Sequence, residues 1–219
     1  GVTLDGRLNF DKHISNVYSV SNFHTRALRH IHTCLDIDSS KSIACAIVGS
    51  RLDYANSCFS GVSSHNMHRL QRVQNSLARV VTPTRYSVTP VSSDLLLASL
   101  HWLPIRQRVT FKLACLVYRS LHRTSPTYLS SLLQAYTPTR PLQSSSADLL
   151  IEPRLRTTLG SRGFRSVGPR IWNYLPNSMK FAPSCFQIQT ENSPFYFIST
   201  IYTSVLSAPL TRHVLLDFV

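Results

Sequence analysis

Arg69, Arg72 and Arg79 recur three and seven residues apart, and Arg108, Lys112 and Arg119 form a second basic set further along the chain. Guanidinium forks match phosphate oxygens bidentately, and each phosphate contact adds salt-dependent affinity without reading sequence. At about 100° per residue the first three, joined by His68 and Asn75, fall on one side of a helix. Arg108, Lys112 and Arg119 fall in a separate narrow arc of another helix. The ordinary alternative is the solvated face of an amphipathic helix.

Other chemistries find less support. Polymerase chemistry needs carboxylates that hold two metal ions. Asp53 falls in a helix's last turns and Asp94 at a cap position, where single carboxylates are structural. His30, His32 and Cys34, or His65 with His68, have the donor types for a metal, but no second pair stands at zinc-knuckle spacing. No P-loop, dinucleotide fingerprint or nucleophile elbow occurs. No catalytic residue and no metal site is assigned, and no cofactor is expected for this chain alone.

The elements that must position the basic residues are helices. Ile14, Val17, Tyr18, Ala27, Leu28 and Ile31 predict one from His13 to about Ile31. Asp36-Ile37-Asp38-Ser39-Ser40 supplies helix-start chemistry for a second, Lys41 to about Cys58, with Ile43, Ile47, Val48, Leu52 and Ala55 inward and Gly61 beyond its end. A third runs from Ser63 or Ser64 to about Val81, with Met67, Leu70, Val73, Leu77, Val80 and Val81 as its stripe. Asp94 or Ser93 caps a short apolar helix, Trp102 and Leu103 fill a corner, and Pro104 opens the next helix, where its fixed φ suits the first turn. Ile105, Val109, Leu113, Leu116 and Val117 give that helix its core face. Pro83 and Pro90 bracket a loop, and a short helix restarts at Ser125-Pro126 and runs through Leu133. Ahead of all these, Asp5-Gly6 between Val2, Leu4, Leu8 and Phe10 signals a hairpin.

After Tyr136, Pro138, Pro141, the serines 144–146, Pro153, Gly160, Gly163, Gly168 and Pro169 predict an extended arm with short elements. Arg154, Arg156, Arg162, Arg165 and Arg170 stud it, interleaved with Phe164 and Trp172. That pattern suits backbone contact with aromatic stacking on nucleic acid, and equally an arm that packs its aromatics on the helical body.

The 219 residues include 23 basic and 10 acidic side chains, a net charge of +13 and a pI near 10.1, which favour a polyanionic partner. Residues 1–60 hold six basic and five acidic, 61–135 nine and one, 136–184 seven and two, and 185–219 one and two. The positive field therefore lies in the middle of the chain. Five cysteines without a C-x-x-C pair argue against a disulfide framework and suggest small buried hydrophobes of an intracellular protein, nuclear or cytoplasmic. No signal peptide and no membrane-spanning run is found, and the missing initial methionine suggests a fragment.

Several blocks carry a family resemblance. They are Gly1-Val2-Thr3-Leu4-Asp5, Leu8-Asn9-Phe10 and His13-Ile14; Ser50-Arg51-Leu52-Asp53-Tyr54; and Leu70-Gln71-Arg72-Val73-Gln74-Asn75. Then come Leu100-His101-Trp102-Leu103-Pro104-Ile105 with Arg108, Phe111-Lys112 and Tyr118, and finally Pro138-Thr139-Arg140, Gly160-Ser161-Arg162 and Gly168-Pro169-Arg170-Ile171-Trp172-Asn173-Tyr174-Leu175-Pro176. In order, they resemble the region from the end of the primer grip through the thumb to the C-terminal segment of non-LTR (LINE-type) retrotransposon reverse transcriptases of the jockey and chicken-repeat kind. The resemblance covers residues 1 to about 184.

It implies a mainly α fold with a primer-grip remnant at 1–12 and a thumb-like helical domain at 13–82. A helical corner at 83–135 and a basic arm at 136–184 follow. It further implies a parent RNA-directed DNA polymerase that uses magnesium, with catalytic aspartates upstream of the matched blocks, missing palm and fingers as partners, and an RNA–DNA hybrid or template-primer as ligand. Arg69, Arg72, Arg79, Arg108, Lys112 and Arg119 would hold that ligand, and the chain alone would be inactive.

Residues 185–219 break the pattern: no charge stands between Glu191 and Arg212, and Phe195-Tyr196-Phe197-Ile198 is β-prone. This tail is read as a frameshifted or altered end. Two other histories fit the sequence, a stand-alone or host-recruited helical nucleic-acid-binding module, and a degenerate reading frame with no selected function.

Overall fold

The apolar stripes find their partners in a mainly α structure. A computed structural model describes residues 1–82, 91–122, 125–138 and 148–180. The loop expected between Pro83 and Pro90, Thr139-Arg140 with Pro141, the serines 144–146 and the tail 185–219 lie outside the described residues. Two compact units are present, one covering Gly1–Arg108 and the other beginning at Val109.

In the first unit α1 (Asp11–Ile31) packs most extensively on α4 (Ser64–Val81). All six residues of the stripe expected on α4 are buried. Ser63 caps this helix by accepting from the Asn66 N–H at 3.4 Å. On α1, Ile14, Val17 and Leu28 are buried, but Ala27 and Ile31 face solvent and His13, Ser21 and Thr25 complete the inner face. Only Thr25 among these three polar side chains has its side-chain donor satisfied, while the Ser21 hydroxyl and His13 Nε2 are buried without a partner among the described residues. The Thr25 hydroxyl donates to the Ser21 carbonyl at 2.8 Å, so a small polar side chain can sit in the seam with its donor satisfied.

The hairpin expected at the N-terminus does not form, and no strand occurs among the described residues. Asp5-Gly6 does turn the chain, with the Leu8 N–H donating to the Asp5 carbonyl at 2.9 Å. The Asp5 carboxylate then accepts from the Asn9 and Asp11 N–H groups at 2.7 and 3.0 Å. Those bonds hold its pKa below the ordinary carboxylate value and lead the chain into α1 instead of back along itself.

The second expected helix is broken. Asp36 caps α2 (Ile37–Ala44), accepting from the Ser39 N–H at 3.1 Å. A π-helical turn over Cys45–Gly49 follows, then α3 (Ser50–Asp53), and a 3-10 turn over Asn56–Phe59 takes the chain to Gly61, whose φ is 74°. Val48 and Leu52 point inward as expected, whereas Ile47 is 37% exposed. Phe59, fully buried, meets the Phe10 ring edge-on at 6.2 Å and the His13 ring at 5.9 Å.

His13 is 3% exposed, and its Nε2 has no hydrogen-bond partner. Burial pushes its pKa below the ordinary histidine value. The folded chain therefore takes up a proton on this ring less readily than the unfolded chain, which protonates near pH 6.5, so stability falls as pH drops below about 6.5. Replacing His13 with Phe should flatten the stability-pH curve just below pH 6.5 by up to about 1.4 kcal/mol per pH unit, read from urea midpoints. An unchanged slope would contradict the lowered histidine pKa.

α5 (Ser93–Ser99) is capped by Ser92, one residue earlier than expected. It ends in a Schellman turn: the Trp102 N–H donates to the Leu97 carbonyl at 2.8 Å and the His101 N–H to that of Ala98 at 3.0 Å. His101 occupies the left-handed position at φ 58°, where glycine is usual. His101→Gly should raise stability by about 0.5–1 kcal/mol in thermal denaturation, and a loss would contradict strain there. Trp102 and Leu103 are buried in the corner, and α6 (Ile105–Leu121) opens directly after Pro104.

In the second unit, beginning at Val109, α6 carries buried Val109, Leu113, Ala114, Cys115 and Val117, with Leu116 half-buried. α7 (Thr127–Ser130), α8 (Thr158–Arg162), α9 (Phe164–Tyr174) and α10 (Asn177–Lys180) follow. The glycine- and proline-rich segment thus holds an 11-residue helix with Pro169 inside it. Gly168 explains part of this, since a Cβ there would lie 3.1 Å from the Val117 side chain. Asn173 fastens the preceding chain to α9. Its side chain accepts from the Leu150 N–H at 2.8 Å and donates to the Leu150 carbonyl at 2.9 Å, as a neighbouring strand would.

Candidate nucleic-acid interface

The outer face of α4 is an extended basic surface. His65, His68, Arg72 and Arg79 are all exposed and fall within an arc of about 60° at 100° per residue. From His65 to Arg79 they span about 21 Å at 1.5 Å per residue. α4 contains no acidic residue. Such a row fits a strand of phosphates, because nothing on the helix opposes the charge.

The six residues expected to contact nucleic acid divide. Arg72 and Arg79 share the outer face, with Arg79 donating to the Ser93 hydroxyl at 2.8 Å. Arg69 lies at the border, half-buried. Its guanidinium sits 4.9 Å from the Tyr18 ring centre and donates to the Ser15 hydroxyl at 3.1 Å and the Asn66 side-chain carbonyl at 3.3 Å. Asn66 in turn donates to the Asp11 carboxylate at 2.5 Å, so Arg69 belongs first to the seam between α1 and α4.

Arg108 is not a surface residue. It is 4% exposed, its Nη1 meets both Asp53 carboxylate oxygens at 3.0 and 3.2 Å, and its Nε donates to the Leu103 carbonyl at 2.8 Å. A guanidinium so enclosed cannot take a phosphate without opening the core, which removes it from the expected contact set. Lys112 and Arg119, in the second unit, are half-buried on α6.

Around Arg108 lies a polar clasp that the helical pattern alone did not disclose. The buried Gln74 donates to the Leu103 carbonyl at 2.8 Å, and Gln71 accepts from the Ile105 N–H at 2.9 Å while donating to Gln74 at 3.0 Å. Asn56 donates to Asp53 at 3.3 Å. Three separated sequence blocks, around Asp53, Gln71-Gln74 and Leu103-Arg108, thus meet at one carbonyl and one ion pair. The available signal was Gln74 itself, a polar residue on the inner stripe of α4 beside Val73 and Leu77.

Of the arm's arginines, Arg154, Arg156, Arg165 and Arg170 are exposed and Arg162 is half-buried. Trp172 is 3% exposed and donates through its indole N–H to the Asp148 carbonyl at 2.8 Å, so it packs within its own unit. Phe164 is half-buried. His30 and Cys34 are exposed and His32 half-buried; among the described residues no three His, Cys, Asp or Glu side chains are gathered as a ligand set.

Cys34 and Cys58 are exposed instead of buried, Cys45 is half-buried and Cys115 buried; none of these four forms a disulfide. Burial pushes the Cys45 thiol up to about 11, so it is not a nucleophile at neutral pH. No helix among the described residues is long and apolar enough to cross a membrane.

No family model, curated protein or solved structure matches the chain.

Proposed function

We propose that this chain holds the phosphate backbone of a nucleic-acid duplex, and that it does so as the thumb-like, template-primer-gripping part of a non-LTR retrotransposon reverse transcriptase. The observation that carries the reading is the outer face of α4, with two exposed arginines and two exposed histidines on a helix free of carboxylates. Net charge supports it, since the excess of base over acid is greatest between residues 61 and 135. The ordered sequence blocks that resemble such enzymes supply the polymerase context.

The buried clasp gives those blocks a structural role. Asp53, Gln71, Gln74 and Arg108 tie the corner at Leu103 to α4, and that fixes the helix whose other side carries Arg72 and Arg79. Contacts of this kind position a duplex and do not read its bases, so affinity should vary little with sequence and steeply with salt. Magnesium and the catalytic aspartates belong to the parent polymerase, and phosphoryl transfer is assigned to its palm.

The reading is tested by binding to labelled RNA–DNA hybrids of several unrelated sequences. Similar affinities for all of them are expected. A strong preference for one sequence would replace backbone gripping with base readout.

A further inference from the structure

Half of the cations on the outer face of α4 are conditional. Arg72 and Arg79 are charged at every working pH, whereas His65 and His68 are charged only when protonated, and a histidine ordinarily changes charge between about pH 5 and 8. Both imidazoles are exposed, and no hydrogen bond, ion pair or ring contact engages either among the described residues. His65, His68 and Arg72 follow one another along about 10 Å of helix, roughly one Debye length at 0.1 M salt. A phosphate strand that follows this face passes both rings.

The neighbouring elements supply charges of both signs. α1 lays its first turns along this end of α4, with Asp11, which Asn66 engages, then Lys12 and the buried His13. Its later titratable groups, His24, Arg26, Arg29 and His30, are all basic. α2 brings Asp38 and Lys41 and is capped by Asp36, and α5 brings Asp94, next to the Ser93 that Arg79 engages. α4 itself adds Arg69 and no carboxylate. The two rings thus have no carboxylate on their own helix to hold them protonated, and an arriving phosphate supplies the missing anion.

We propose that the α4 interface takes up protons from solvent as it binds: His65 and His68 become charged when the phosphate backbone seats against them, so the grip tightens as pH falls from 8 to 6. The inference rests on the proposed function and adds the regulation of that same face. Binding and protonation are reciprocal, since the affinity that protonation adds equals the protonation that bound phosphate adds. One further phosphate contact is worth about tenfold at 0.1 M salt. Two conditional contacts, partly charged at each end of the range, give about 10- to 30-fold between pH 8 and pH 6.

The full chain is titrated into a labelled RNA–DNA hybrid at pH 6 and pH 8 across a salt series, with circular dichroism confirming the fold at both. The parent should bind about 10- to 30-fold more tightly at pH 6, with a slope of log affinity on log salt steeper by about one to two. His65→Gln/His68→Gln should lose most of that gain, its deficit against the parent narrowing toward pH 8. His65→Arg/His68→Arg holds both charges at every pH. At pH 8, where protonation of His13 plays no part, it should bind at least about tenfold more tightly than the parent.

Hybrid binding of equal strength at both pH values, a gain that survives His65→Gln/His68→Gln, or an arginine variant no tighter than the parent at pH 8 would overturn the inference while leaving the α4 grip in place. No hybrid binding by the folded chain at either pH would overturn the proposed function and the inference together.

Discussion

Arg108→Ala should destabilise the chain by about 3 kcal/mol or more, because removing one partner of a buried ion pair costs about 3–5 kcal/mol. The side chain is 4% exposed and Asp53 is 23% exposed, so the remaining carboxylate regains some water and the lower end of that range applies. Two further losses add to it: the Leu103 carbonyl loses the Arg108 Nε donor, keeping only Gln74, and the corner before α6 loosens.

Against a total stability of about 5–15 kcal/mol for a domain, this is enough to move the urea midpoint far toward zero. Pairing Arg108→Met with Asp53→Asn should recover much of the loss, since apolar or neutral replacement of both partners is often near neutral. A single-variant cost below about 1 kcal/mol would mark the pair as surface-like.

The folded double variant also separates structure from binding. If Arg108 acts only inside the core, Arg108→Met/Asp53→Asn binds an RNA–DNA hybrid as the parent does. Its place in the expected contact set came from helical phase, which ranks residues by angle and does not see a carboxylate brought in from Asp53.

The second large effect is on affinity. Arg72→Glu/Arg79→Glu should weaken hybrid binding about 10- to 100-fold at 0.1 M salt and reduce the steepness of log affinity against log salt by about 2, as two phosphate contacts become repulsive. Stability should change little, since both side chains are exposed. Arg69 is left intact in this design. Reversing it would set a carboxylate over the Tyr18 ring and beside Asn66, which itself holds Asp11, and would confound binding with the seam between α1 and α4.

Much of the fold was legible because periodicity and caps are local. Ser63 caps a helix where one was expected to begin, the Asp36–Ser40 run opens a helix, though four residues earlier than the expected Lys41, Pro104 stands directly before α6, and the whole apolar stripe of α4 is buried. What escaped depends on contacts distant in sequence or on unusual backbone. The Asp5 carboxylate outcompetes a hairpin by binding two backbone N–H groups. A π turn at Cys45–Gly49 shifts the helical phase, which exposes Ile47. His101 adopts a glycine-like φ, so the end of α5 carries no glycine signal.

The site divided along the same line. Arg72 and Arg79 lie where helical phase put them, on a face that needs no distant partner. Arg108 was drawn inward by a residue 55 positions away, and Arg69 by Ser15 and Tyr18. Trp172 shows the same effect in the arm, where the Asp148 carbonyl gives its indole N–H an internal partner.

The central claim, that the outer face of α4 grips phosphates, is tested most directly by hybrid affinity across a salt series for the parent chain and for Arg72→Gln/Arg79→Gln, with circular dichroism confirming the fold of each. The account predicts a steep fall of affinity with salt in the parent and a slope shallower by about 2 in the variant. Identical affinities and slopes in two folded proteins would contradict it.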